Sequence, residues 1–239
     1  MPVRRHILKI AAACIAVSTS TASIAQISVA PGIGNAAHGV LQISSRGRCG
    51  AVLIGADLVL TAAHCVKYPG QSDPVRPAEI TFTIKTDAGE ATVRAKDVAV
   101  DPDFEHTTPP VRESIARDIA LVRLESPIKS AFEAVGEPDR VQSYVALPPD
   151  AEGSFFVGEP CEVQFEPNDI MVLSCARDFG ASGSPVFMMI GGKRSVVGVV
   201  SAKGTRRQED IVFAASPLPV LDDLIWLNKD AARAMATEF

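Results

Sequence analysis

The sequence predicts an all-β chain: two antiparallel β-barrels in succession, closed off by a C-terminal α-helix. Three observations predict it. Short runs rich in Val, Ile and Thr, alternating with a period of about two, fill the chain between residues 40 and 215. Gly, Pro, Asp and Ser punctuate them, and helical spacing sets in only beyond residue 217. A chain of 239 residues has room for one large or two modest cores.

The first series of strands is 40–44, 51–54, 58–60, 80–84, 91–100 and 119–124, which places a first barrel within 26–127. Stretch 102–110 carries prolines and reads as a surface loop, and Pro127 breaks the chain near the barrel junction. The second series is 161–165, 170–174, 185–190, 196–201 and 211–215, a smaller barrel within 128–217, with 148–160 as another loop. In the segment 218–239, Leu218, Leu221, Leu224, Ile225 and Leu227 recur at helical spacing around Trp226, with Asp222 and Asp223 near the start. The expectation is a terminal helix whose apolar stripe covers the second barrel. No repeat or low-complexity tract is present.

Residues 1–25 have the form of a cleaved signal peptide. Arg4, Arg5 and Lys9 make a basic start, 10–17 is apolar, and Ala22-Ser23-Ile24-Ala25 offers small residues before Gln26. The apolar run is shorter than the ~20 residues a membrane span needs, and it continues past Cys14, which disfavours a lipid anchor at that cysteine. Cleavage leaves 20 basic against 28 acidic residues and moves the formal charge from −5 to −8. So acidic a chain is not expected to bind nucleic acid or an anionic membrane. Without Cys14 the cysteines are even in number: Cys49, Cys65, Cys161 and Cys175, as suits an oxidising, secreted or periplasmic location.

Two strings carry chemistry, Leu60-Thr61-Ala62-Ala63-His64-Cys65 and Gly180-Ala181-Ser182-Gly183-Ser184-Pro185. A serine hydroxyl needs an imidazole to take its proton during attack, and a third group must hold that imidazole in the right tautomer. Between the two strings, Asp118 opens the apolar run Ile119-Ala120-Leu121-Val122. The order is therefore His64, Asp118, Ser182. All four histidines precede Ser182, which excludes α/β-hydrolase order, and Ser184 stands where that fold's nucleophile elbow has its second glycine. Subtilisin order needs an acid well ahead of the histidine, and Asp57 sits too close to it at a turn. Small neighbours around Ser182 favour it over Ser184, because they let the backbone approach a carbonyl and aim the N–H groups of Gly180 and Ser182 at an oxyanion.

On these motifs the chain resembles the chymotrypsin-like serine proteases over most of residues 36–227. The resemblance implies two six-stranded barrels and a secreted serine endopeptidase that forms an acyl-enzyme on Ser182, with His64 as base and then acid and Asp118 as its orienter. It implies a polypeptide substrate, no metal or organic cofactor, and a monomer. It also pairs Cys49 with Cys65, a closure of roughly 3 kcal/mol on a chain-entropy model, and by the same choice Cys161 with Cys175. Substrate would lie along Ser201, Ala202 and Lys203 and in a pocket near Ala176.

Departures matter too. Ala181 stands where the digestive branch has the acid that pairs with a new N-terminus. The expectation is therefore that cleavage before Ile33-Gly34 is not needed, with Asp178 as the alternative partner. The interval from Asp118 to Ser182 is 64 residues, and with the Ser-Gly-Ser-Pro ending it looks more like the bacterial glutamyl-endopeptidase branch. That branch places a histidine in its specificity pocket, and none follows Ser182 here. Ala176 provides no acidic floor for Arg or Lys, whereas Arg177 and Lys203 offer positive charge. A catalytically silent relative that binds protein, and an esterase without useful peptide cleavage, are the competing readings.

Overall fold

A computed structural model of the chain describes residues 37–44, 47–138, 143–145, 162–174, 182–190 and 193–237. Strands β1 (His38–Ile43), β2 (Gly47–Leu53), β3 (Leu58–Thr61), β4 (Ile80–Thr86), β5 (Gly89–Val100) and β6 (Ala120–Leu124) close into an antiparallel barrel, in the order β1-β2-β3-β6-β5-β4. Alternation drives this closure: in β4, Ile80, Phe82 and Ile84 point inward while Thr81, Thr83 and Lys85 do not. Leu41, Leu53, Leu60, Phe82 and Leu121 fill the interior. The twelve-residue β5 slips register between Ala95 and Asp97, a bulge that lets so long a strand bend around the wall.

The second sheet contains β7 (Ala134–Val135), β8 (Ser143–Val145), β9 (Val163–Glu166), β10 (Ile170–Leu173), β11 (Pro185–Ile190), β12 (Lys193–Arg206) and β13 (Glu209–Ala215). Its order is β8-β11-β12-β13-β10-β9, with β7 parallel to β12. Among the described residues it is a curled half-barrel, so the all-β architecture is as expected, with one barrel closed and one open. Met171, Leu173, Val186, Met188, Val197 and Val212 form its own core. β7 and β8, two and three residues long, are too short to show alternation in sequence.

The two sheets share a joint. Phe187, Val196, Val199 and Ala215 of the second pack into the cluster of the first. Beside them the Arg194 guanidinium donates to Glu133 through Nε at 3.0 Å and covers the Phe187 ring at 5.1 Å. The His38 ring meets Phe187 edge-on. Burial, reinforced by the Arg194 charge, pushes the His38 imidazole down to about 4.

Helix α3 (Leu218–Thr237) overturns one expectation. It packs on β5 and β6 of the first barrel rather than on the second, and Val220 and Leu224 enter the first barrel's core. An apolar stripe specifies which face is buried and says nothing about which surface receives it. Trp226, at the stripe's margin, stays 63% exposed. Stretch 102–110 is irregular as expected, but Phe104 anchors it in the core. Two short helices not anticipated in the sequence, α1 (Ala63–Val66) and α2 (Arg112–Ala116), bracket the candidate site. Among the described residues no helix is long and apolar enough to cross a membrane.

Candidate active site

His64 sits on α1, a single turn formed as the chain leaves β3. Ala62 remains extended, then Cys65 and Lys67 donate back to the carbonyls of Ala62 and Ala63. One turn is enough to send Ala63, Cys65 and Val66 inward and leave the His64 ring partly open. Cys65 is bonded to Cys49 of β2, so the turn is tied covalently to the neighbouring strand. Cys49, His64 and Cys65 cluster closely enough to suggest a metal site, but both sulfurs are committed to the disulfide and neither offers the thiolate a metal would need.

Asp118 follows α2 and leads into β6 with 3% of its surface exposed. Three donors converge on its carboxylate. The His64 backbone N–H donates to Oδ1 at 2.8 Å, His64 Nδ1 meets Oδ2 at 2.6 Å, and the Ser201 hydroxyl donates to Oδ2 at 2.5 Å. A bond from Nδ1–H leaves Nε2 as the ring's free base. Burial, the largest single influence on His64, disfavours the imidazolium, yet the Asp118 charge and hydrogen bond together outweigh it and hold His64 above its ordinary value. Arg117 does not compete for Asp118. Its guanidinium reaches Asp101 at 3.1 Å and Asp103 at 3.4 Å, so the adjacent cation is satisfied elsewhere.

Ser182 begins a tight turn held between the two sheets by main-chain bonds. Its carbonyl accepts from Gly50 N–H of β2 at 2.7 Å, Gly183 N–H donates to Val200 O of β12 at 2.8 Å, and Val200 N–H returns to Ser184 O at 2.9 Å. Gly183 adopts φ +77°, and a Cβ there would lie 2.4 Å from both Gly50 O and Thr61 Oγ1, so the turn requires glycine on two counts. Ser184 is wholly buried, and among the described residues its Oγ has no hydrogen-bond partner. Ser182 remains half-open, which favours it over Ser184 on access. Among the described residues no hydrogen bond joins the Ser182 hydroxyl to His64. Beside His64 a half-open cleft is lined by Phe104, His106, Thr107, Pro110, Ser114 and Ser201.

Of the expected substrate-binding residues, Ser201, Ala202 and Lys203 lie on β12 where its pairing with β11 has ended at Val199. The register against β13 slips between Val200 and Ala202, which makes Ser201 the extra residue of a bulge. Its hydroxyl is spent on Asp118, leaving its main chain for other contacts. The sequence pointed to Ser201 by position but not to this bond, which depends on a one-residue slip with no composition signal. Gly180, Ala181, Ala176, Arg177, Asp178, Cys161 and Cys175 lie outside the described residues, as does 148–160.

A closed six-stranded barrel followed by a curled second sheet, with few helices and one of them terminal, defines the chymotrypsin-like fold class. By sequence the chain belongs to the trypsin family of serine proteases, whose family model, Trypsin, matches residues 28–163. That span includes His64 and Asp118 and ends before Ser182. No curated protein matches the chain.

Proposed function

We propose that the chain is a secreted or periplasmic serine endopeptidase in which His64, Asp118 and Ser182 form the catalytic triad. The observation that carries the reading is the buried Asp118 carboxylate receiving His64 twice, through the backbone N–H and through Nδ1. An imidazole so held presents Nε2 in the neutral tautomer, takes the proton from Ser182 Oγ as the hydroxyl attacks a peptide carbonyl, and returns it to the leaving amine. Asp118 stays ionised and stabilises the transient imidazolium. Charge on the tetrahedral oxygen is met by the backbone N–H groups of Ser182 and Gly180. Water then repeats the sequence on the acyl-enzyme, with His64 as base again.

The edge of β12 past Val199, where its pairing with β11 ends, suits an extended peptide joining by β-augmentation. The Cys49–Cys65 disulfide supports an oxidising compartment, and the signal-peptide form of residues 1–25 gives the route there. Of the family's branches, the bacterial glutamyl-endopeptidase type accords best with the short interval from Asp118 to Ser182, with Arg177 and Lys203 rather than a histidine as the positive groups. Incubating the purified protein with a fluorophosphonate and mapping the adduct tests the reading. An adduct on Ser182 together with casein cleavage is the expected result. No adduct and no cleavage would leave the chain as a silent, protein-binding member of its family, and an adduct with ester but no peptide turnover would make it an esterase.

A further inference from the structure

Glu166, on β9, is the centre of an ion cluster that joins three separate elements. Its carboxylate is only 14% exposed. Oε2 accepts from Arg112 Nη1 at 2.5 Å, and Oε1 accepts from Arg206 Nη2. Arg206 also donates through Nη1 to Gln164 at 3.2 Å. Gln164 and Glu166 are two apart on a strand and so share its face, and the Arg206 guanidinium straddles both. The two guanidiniums are themselves 53% and 41% exposed, so what sets the cluster apart is not the strength of either pair but that one carboxylate takes an arginine on each oxygen and joins the elements that carry them. Removing either arginine unties its element from Glu166.

What the arginines are attached to gives the cluster a role. Arg112 opens α2, whose last turn hands the chain to Asp118, with the Asp118 N–H bonded back to Ile115 O. α2 itself is seated against β10 and β13, and Ser114 Oγ is bonded to Glu105 O. Arg206 ends β12, the strand that carries Ser201. The two segments 112–118 and 201–206 are therefore joined at both ends, by Ser201 to Asp118 at one and by Arg112-Glu166-Arg206 at the other. Between the two pins, among the described residues, the strand pairing of β12 is with β13, its pairing with β11 having ended at Val199.

We propose that Glu166 is a positioning residue that fixes this stretch of β12 against the Asp118-bearing segment, and so sets how firmly the enzyme holds the extended part of a peptide on the acyl side of the scissile bond. The inference rests on reading β12 as the substrate edge. A substrate too short to run along β12 does not use the far pin, whereas a longer one does.

The test compares a tetrapeptide amide with a single-residue ester of the same terminal residue, in the full-length purified protein and in Glu166→Gln. The expected result is a rise in KM for the tetrapeptide of about tenfold with little change in kcat, the pattern of lost uniform binding. Ester kcat/KM, its pH profile and the rate of fluorophosphonate labelling stay within about twofold of the unsubstituted protein. Calorimetric binding of the product tetrapeptide, which needs no turnover, should weaken by a similar factor. Should Glu166→Gln fail to fold, Arg206→Met gives the same comparison at the β12 end of the cluster, and Arg206→Lys restores part of the loss. Equal losses on both substrates, or unchanged peptide KM and product affinity, overturn the proposal. Failure of the triad reading looks different: the unsubstituted protein then shows neither labelling nor ester turnover, while product binding still reports on Glu166.

Discussion

The two halves of the candidate site are built by different means. In the first barrel His64 and Asp118 are fixed by side-chain chemistry: a carboxylate with three donors, an imidazole held through Nδ1, and a disulfide at the next residue. In the second sheet, among the described residues, Ser182 is held by main-chain bonds, to Gly50 on one side and through Gly183 to Val200 on the other. The proposed base and its orienter thus depend on which groups are present, and the proposed nucleophile depends on where the backbone can go. Substitutions of side-chain chemistry should damage the first half and substitutions of volume the second.

The sharpest break is in the chemistry itself. Ser182→Ala and His64→Ala should each remove nearly all peptide turnover, on the order of 10⁶-fold in kcat, and the double variant should lose little more, because the groups act as a unit. Steady-state kinetics on the three variants checks this; additive losses would separate the two halves.

Next comes the acid. Asp118→Asn should lower kcat by about 10⁴-fold, the size seen when the orienting carboxylate of a well-studied triad is neutralised. The pH profile gives a second reading. Catalysis needs neutral His64, and a raised value keeps the ring protonated to higher pH, so kcat/KM in the unsubstituted protein should rise through a midpoint above 6.5. Removing the Asp118 charge leaves burial to dominate, and the residual activity should show its midpoint below 6.5.

Volume should matter most in the second half. In Gly50→Ala the new Cβ would lie 2.1 Å from Ser184 Oγ and 2.7 Å from its Cα. Relief of such a clash costs about 1–3 kcal/mol and must displace the turn bearing Ser182. Unfolding midpoints should fall, and kcat should drop by roughly 10- to 100-fold while the acid-side midpoint of the pH profile stays in place. A shift of that midpoint would show that the two halves are not built independently.

The smallest effect on catalysis concerns the joint between the sheets. His38 folds with its imidazole at about 4, below the ordinary 6.5. Stability from its neutral form is therefore present above pH 6.5 and lost as pH falls from there towards 4, in total about 3 kcal/mol. Chemical denaturation at pH 7 and pH 4.5 should show His38→Leu losing less stability between the two than the unsubstituted protein, with activity at pH 7 nearly unchanged.

Much of this is legible in the sequence. Alternation in β4 or β6 states which residues face inward, and Ala62-Ala63-His64-Cys65 states its chemistry because residue types and their order carry it, whatever local shape the turn takes. The short bridges β7 and β8 were not legible, since two or three residues carry no period. Nor was the choice of partner for α3, because Val220 and Leu224 are equally apolar against either sheet.

Local terms are written along the chain: strand periodicity, the order His64, Asp118, Ser182, the glycines that let Ser182 turn, and cysteines numerous enough to bridge. Relations between distant segments arise only in the folded molecule. Folding puts the Ser201 hydroxyl on Asp118 through a one-residue slip in β12, buries Ser184 beneath Gly50, satisfies Arg117 on Asp101 and Asp103, and gathers Arg112 and Arg206 onto Glu166. The physical reason is common to all four. A side chain's local preferences depend on its neighbours in the chain, but the partner of a hydroxyl, a guanidinium or a carboxylate depends on register, and register is fixed only when the sheets close.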